Sequence, residues 1–355
     1  MRIAFAPAAY DLCMTWNDPQ AAAAWTRLRA TRADPPGPAA SDRRRRAVYV
    51  AALEQAEQLF RSAGGSDVAS RPLTVFYGLS QAGRALAAAS PKAGAGDWEL
   101  IGHGLQAPDL TAPMPKVPVV QFGSDRSSFV GLSKLLGSPP IPAKGSGQDP
   151  VTVEDLWDAI PEAQPWPVRD DPDRRPVLRV CSSLHPDPHP LATVSVVGFP
   201  AWVDDPAARA ANFRQYMAAF PHAAGYSFVH TRSQDREEPD LDPAAGGLRA
   251  TMHWDTGIAR ASAEQRHAKL LEFATPYNDE LYLTPVVGGN TEPMHPLMSW
   301  WALLFTLSML ARYQPGDWTA MIDVNASKYA VPLEALLDAA LVAVPRLIHS
   351  TLQQL

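Results

Sequence analysis

Residues 71–90 read Arg71-Pro72-Leu73-Thr74-Val75-Phe76-Tyr77-Gly78-Leu79-Ser80-Gln81-Ala82-Gly83-Arg84-Ala85-Leu86-Ala87-Ala88-Ala89-Ser90. Phe76, Leu79, Ala82, Leu86 and Ala89 spread apolar surface over most of a helix. Tyr77, Ser80, Gln81 and Arg84 stand at i, i+3, i+4 and i+7, so the same helix stacks them in one narrow polar line. Pro72 opens it, where a missing N–H costs nothing. A helix apolar nearly all round lies in a core. A polar line inside a core needs protein partners or a ligand, because unpaired buried donors are costly.

Upstream, Trp16, Trp25 and Leu28 mark an Ala-rich helix over 10–30, closed by the loop Asp34-Pro35-Pro36-Gly37-Pro38. Ser41 or Asp42 can cap a second helix through Ala63, with Val48, Ala52, Gln55, Leu59 and Ala63 on one face and Gly64-Gly65 as its stop. Its first turn holds Arg43-Arg44-Arg45-Arg46, the wrong sign for the positive end of a helix dipole. That turn reads as solvated and mobile, with contact to phosphate or RNA as the alternative.

Downstream, Gly102-His103-Gly104-Leu105 sets a histidine between two flexible glycines, so backbone rather than a helix positions it. Prolines punctuate 112–150, leaving a strand at 117–122 and a helical turn at 130–136; a short helix at 153–160 is capped by Thr152. Residues 176–290 turn toward β, with strands at 177–184, 192–199, 225–231, 248–255 and 280–287, a helix at 206–220 and an exposed, charged loop at 234–247. Helices return at 297–313, 316–323 and 331–354, the last starting on Pro332 with Pro345 kinking its middle. In the first of these, Ser308 and Arg312 repeat the spacing of Ser80 and Arg84. The expected fold class is α+β: residues 1–111 and 291–355 form one helical bundle, and 112–290 form an inserted, mainly antiparallel β-rich region.

Composition narrows the function classes. The 355 residues are 46% hydrophobic and 19% charged, as in a globular chain, and the 35 prolines and 22 glycines follow no repeat. A net charge of -6 argues against coating nucleic acid by bulk electrostatics, which leaves room only for a local basic patch. Cys13 and Cys181 are the only cysteines, too few for a disulfide framework or a thiolate metal site, and a reducing cytoplasm fits them best. The N-terminus has no apolar segment of signal-peptide length. The apolar run 297–310 contains Ser299, Thr306 and Ser308 and is too short for a bilayer core of about 30 Å, so no membrane association is expected.

Three stretches carry a family resemblance: 71–86, Gly102-His103-Gly104-Leu105, and Leu304-Phe305-Thr306-Leu307-Ser308-Met309-Leu310-Ala311-Arg312-Tyr313-Gln314-Pro315-Gly316-Asp317-Trp318. In this order and spacing they resemble the YaaC-like proteins of bacteria. The resemblance covers both helical ends of the chain and implies an intracellular, mostly helical protein whose biochemical activity is not established. The long helix followed by a Pro-Leu-x-x-x-Tyr helix is also similar to the bundles of the HEPN class, many of which are ribonucleases of toxin and anti-phage systems. Those carry an Arg and, a few residues on, a His in one helix. Arg260 with His267 falls near the β-rich part here, and Arg346 with His349 is too closely spaced.

Other patterns are weaker. Gly78-Leu79-Ser80-Gln81-Ala82-Gly83 invites comparison with a nucleophile elbow, but its second glycine comes one residue late and no alternation of strands and helices leads up to it. His185, Asp187 and His189 alternate on one extended stretch with ligand types zinc accepts, yet no further ligand is identifiable, so no metal is expected. Trp300, Trp301 and Trp318 read as packing. Dinucleotide and P-loop signatures are absent, and no cofactor is expected. Arg84 and Arg312 cannot shed their charge. Each either pairs internally, with Asp11, Glu57, Asp97 or Asp323 as candidates, or the two grip an anionic ligand with Tyr77, Ser80, Gln81 and His103 completing the pocket. A nucleotide, an RNA or a protein is the expected partner, and no catalytic residue is assigned.

Overall fold

The computed structural model describes residues 18–169, 171–181, 187–228 and 239–355. The first part of the chain forms α1 (Pro19–Ala30), α2 (Arg43–Gly64), α3 (Arg71–Ala89), β1 (Leu105–Gln106), β2 (Pro118–Gln121), α4 (Ser128–Leu136), β3 (Val151–Thr152) and α5 (Val153–Asp158). The middle forms β4 (Leu178–Cys181), β5 (Leu191–Phe199), α6 (Arg209–Met217), β6 (Ser227–Phe228), β7 (Leu241–Ala244), β8 (Gly247–Asp255), α7 (Ala263–Leu271), β9 (Thr275–Tyr277) and β10 (Glu280–Leu283). The chain ends with α8 (Pro296–Tyr313), α9 (Pro315–Met321) and α10 (Ala330–Gln354). The fold is α+β, and every strand pairing between these elements is antiparallel.

One compact unit comprises 11–169 and 294–355. Within it α3 packs against α2, α8 and α10. Two glycines allow the close approach: a Cβ on Gly78 would stand 2.7 Å from Phe60 Cδ2, and one on Gly83 only 2.4 Å from Trp301 Cζ3. A glycine inside a helix costs about 1 kcal/mol relative to alanine, and here that cost lets two aromatic rings sit directly on the α3 backbone. Phe76 then meets Trp301 at 6.3 Å and Phe305 at 5.5 Å, both edge to face, in a core where Trp300 and Trp301 have no exposed surface.

Charged groups tie the helices together at their ends. Glu57 of α2 is buried and takes Arg29 at 2.5 Å, Arg61 at 3.0 Å and Arg32 at 3.5 Å, which fastens the end of α1 to α2. Arg71, in the first turn of α3, pairs with Asp338 of α10. Trp318 donates its indole N–H to the Ala69 carbonyl at 3.0 Å.

The second unit includes residues 170–293. Its sheet runs β6-β8-β5-β4-β10-β9, with β7 also on β8. Alternate residues of three strands form one apolar face: Leu178 and Val180, then Ala192, Val194 and Val196, then Ala250, Met252 and Trp254. Register brings Val194 opposite Met252 and Ala192 opposite Trp254. Phe213 and Tyr216 of α6 cover this face, and Phe273 stacks on Trp254 at 4.2 Å.

Several expectations need correction. The stretch 112–169 groups with the helices in the first unit, because β1, β2 and β3 are strands of two to four residues in a sheet of their own, and α4 and α5 pack on α8. The loop expected at 234–247 contains β7, an edge strand closed onto β8 by a tight turn from Ala244 to Gly247; residues 234–238 lie outside the described residues. Pro243 on that edge hid the strand from its composition. The strand β9 and the helix α7 have no counterpart among the expected elements. The four-arginine turn is not a solvated one throughout. Asp42 caps α2 by accepting from the Arg44 and Arg45 N–H groups. Arg45 is buried and donates to the carbonyls of Ser90, Ala93 and Gly94, just past the end of α3, where a cation suits the helix dipole.

Candidate functional site

The His103 loop is held by backbone. Gly102 and Gly104 have φ of +58° and +83°, the left-handed region open to glycine. The Gly102 carbonyl accepts from the Ser128 hydroxyl at 2.7 Å, the Ile101 carbonyl from the Ser128 N–H at 3.1 Å, and the His103 carbonyl from the Phe129 N–H at 2.9 Å. The first N–H groups of α4, which have no partner within their own helix, are thus spent on fixing this loop. A Cβ on Gly104 would meet Phe129 N at 3.0 Å, whereas one on Gly102 meets nothing within 4 Å. Gly104→Ala is therefore expected to destabilise by more than the ~1–2 kcal/mol of left-handed backbone alone, and Gly102→Ala by about that amount. Denaturant midpoints of the two variants check the order.

The His103 ring lies 5.6 Å from Phe76, 6.2 Å from Tyr77 and 6.0 Å from Phe305. Arg312 Nη1 donates to the Tyr77 hydroxyl at 3.2 Å, and its guanidinium lies 5.2 Å above the Tyr313 ring. Arg84 is half-buried on α3, and its Nε is buried with no hydrogen-bond partner among the described residues; the same holds of His103 Nδ1. Burial first, then the charges of Arg312 and Arg84, push the His103 imidazole below its ordinary value of 6.5. Both arginines thus act on one neutral ring.

Internal pairing of the arginines does not occur among the described residues: neither Arg84 nor Arg312 has a carboxylate within ion-pair distance. Glu57 is taken by three other arginines, and Asp323 accepts from Asn325. Asp11 lies outside the described residues. Arg312 differs from the expectation of a buried side chain, since it stands in the exposed last turn of α8. Ser80 is buried and Gln81 half-buried on the α3 face they share with Tyr77 and Arg84, but no hydrogen bond joins either to Arg84, His103 or Arg312. Ser308 does not repeat Ser80: its hydroxyl donates to the Phe305 carbonyl at 2.7 Å within α8.

α3 is continuous from Arg71 to Ala89, so Ser80 sits in mid-helix and not on a strand-to-helix elbow. What the sequence did not disclose are the aromatic walls, Phe76 and Phe305, and the hold of Ser128 on the loop. Their signal was present only as apolar helical positions.

Other candidates resolve differently. An open depression of about 590 Å³ lies at the start of α2, lined by Arg44, Arg45, Trp98, Glu99 and Arg126, and it contains none of the residues around His103. Its cations are already engaged: Glu99 pairs with Arg44 at 2.9 Å and with Arg126 at 3.3 Å, and Arg45 is spent on carbonyls. Arg84 and Arg312 have no such carboxylate partner among the described residues. His185 lies outside the described residues; Asp187 pairs with Arg266, and His189 Nδ1 accepts from the Leu191 N–H. No group of three metal-ligating side chains occurs among the described residues. Arg346 and His349 share α10, where Arg346 donates to Gln20.

No helix among the described residues is long and apolar enough to cross a membrane. No curated protein and no solved structure matches the chain. The family described as YaaC-like Protein matches residues 16–352, which include α3, the His103 loop and α8, and the chain belongs to that family.

Proposed function

We propose that this protein binds an anionic ligand, a nucleotide or an RNA, through Arg84, His103 and Arg312. The observation that carries the reading is that no carboxylate pairs with either arginine among the described residues, while Arg312 donates to the Tyr77 hydroxyl and the Tyr77 ring lies 6.2 Å from that of His103. A cation left in this state attracts phosphate oxygens. The exposed Tyr313 ring beside Arg312 supplies a surface on which a base can stack. Two cysteines and a nucleotide or RNA partner fit a cytoplasmic protein. The test is a thermal-shift series with AMP, ATP and a short single-stranded RNA on the wild type and on Arg84→Ala. At a ligand concentration one hundred times Kd, the wild type gains about 2.7 kcal/mol, while Arg84→Ala gains little. No shift with any of the three overturns the reading.

A second reading, an RNA-cleaving enzyme of the HEPN kind, draws on the same Arg84 and His103. An imidazole kept neutral at physiological pH can take a proton from a ribose hydroxyl beside an arginine that steadies the phosphate. It requires that purified protein cleave RNA and that Arg84→Ala and His103→Ala each stop the cleavage. Intact RNA after incubation with the wild type rules it out.

A further inference from the structure

The open depression at the start of α2 is built around a carboxylate of the chain itself. Glu99 stands between two arginines from separate segments: Arg44 Nη2, in the first turn of α2, reaches its Oε1 at 2.9 Å, and Arg126 Nη2, just before α4, reaches its Oε2 at 3.3 Å. The side chains of Arg44 and Arg126 are 75% and 47% exposed, and ion pairs of that kind hold weakly. Neither arginine depends on Glu99 alone for its place. The Arg44 guanidinium lies 5.7 Å over the Trp98 ring, and the Arg126 carbonyl accepts from the Ile101 N–H at 2.9 Å. Arg45, which also lines the depression, is buried and lies 5.5 Å over the same ring. It donates to three carbonyls but has no carboxylate within ion-pair distance among the described residues.

We propose that Glu99 holds the place of a phosphate, and that the depression binds the phosphodiester backbone of a single-stranded polynucleotide when Glu99 leaves the arginine pair. Three guanidinium groups line the depression against two carboxylates, and one of those, Asp42, is spent on capping α2. With Glu99 withdrawn the balance is positive, and a phosphate takes its place with one oxygen on each of Arg44 and Arg126. Gly96 leaves part of the lining as bare backbone: its φ is +88°, and nothing lies within 4 Å of where a Cβ would stand. The depression is open to solvent at about 590 Å³, which admits a passing chain, whereas a small molecule is better held in an enclosed pocket. Trp98 is 6% exposed and faced by both Arg44 and Arg45, so it offers no free ring for a base to stack on. Recognition is therefore of the backbone and indifferent to base sequence. The depression shares no residue with Arg84, His103 and Arg312, and the proposal does not rest on the reading of those three.

Fluorescence anisotropy of a labelled decauridylate at one low ionic strength tests this. Glu99→Gln removes the competing charge and keeps the size of the side chain, and it is expected to bind the oligomer about fivefold more tightly than the wild type. Adding Arg44→Ala or Arg126→Ala to it should remove that gain. Decaadenylate should bind within about threefold of decauridylate. The logarithm of affinity should fall linearly with the logarithm of salt, with a slope that shrinks by about 0.7 for each arginine contact removed. RNA held through Arg84 would be common to every protein in the series, so the comparison stands with or without it. Should Glu99→Gln melt early, Arg126→Ala alone, which keeps Glu99, should weaken binding and reduce the salt slope. A Glu99→Gln protein that melts as the wild type does and binds no tighter overturns the proposal, as does an unchanged slope in Arg126→Ala. Displacement of the oligomer by sodium phosphate at matched ionic strength would mean a site for free phosphate and overturns it too.

Discussion

Gly83→Val is expected to destabilise the protein by about 3 kcal/mol, the upper part of the range for overpacking a filled core. The first added atom would lie 2.4 Å from Trp301 Cζ3 and 2.6 Å from its Cη2, with Leu132 Cδ2 at 3.1 Å. Trp301 cannot yield easily, because it is fully buried and packs edge-on against Phe76. The sign is informative. In an unconstrained helix, alanine in place of glycine stabilises by about 1 kcal/mol, and that is the result expected for Gly316→Ala in α9, where an added Cβ meets nothing within 4 Å. Gly83→Ala should go the other way. Denaturant unfolding of the three variants decides the matter; a Gly83→Ala protein as stable as wild type would mean that α3 and α8 do not pack as described.

Acidification is expected to remove stability between about pH 6.5 and pH 4, before most carboxylates titrate. His295 is the N-cap of α8; its Nδ1 accepts from the Leu297 N–H at 3.2 Å, and its backbone N–H donates to the Ser138 hydroxyl at 3.1 Å. A proton on Nδ1 would break the cap and place a positive charge at the positive end of the helix dipole. Burial pushes the imidazole down to about 4. The unfolded chain takes up this proton near 6.5 and the folded chain only near 4, so the unfolded state holds more protons throughout that window and stability falls as pH falls. The full effect is on the order of 3 kcal/mol, of which about 2 is lost between pH 7 and pH 5. His222, also pushed down to about 4 by burial, adds in the same direction, less for being more exposed. His295→Asn keeps a side-chain oxygen for the cap and does not titrate. Its stability should be flatter across this window, and an unchanged slope would assign the acid sensitivity to other groups.

Much of the helical part was legible because its signals are local. Asp42 caps α2, α3 begins at Arg71 with Pro72 next, and α8 and α10 follow their apolar spacing to within a residue or two. The line Tyr77, Ser80, Gln81 and Arg84 follows from helical geometry alone, and Gly102-His103-Gly104 announces a loop set by backbone. What puts Arg312 on Tyr77, and His103 between Phe76, Tyr77 and Phe305, is the packing of three elements far apart in sequence, and no local pattern encodes it. The same reason hid Arg45. Four arginines in a row read as solvent-facing, and only the arrival of the Ser90–Gly94 turn beside α2 buries the third of them. β7 was missed because its pairing depends on β8, not on its own Leu-Asp-Pro-Ala composition.

The site at Arg84, His103 and Arg312 is most directly tested by equilibrium titration of ATP against the wild type and against Arg84→Ala at one ionic strength. One ATP per chain in the wild type and at least tenfold weaker binding in Arg84→Ala, with far-ultraviolet circular dichroism unchanged, is the predicted result, a tenfold loss being about 1.4 kcal/mol. Equal affinity in the two proteins, or no binding by either, would contradict it.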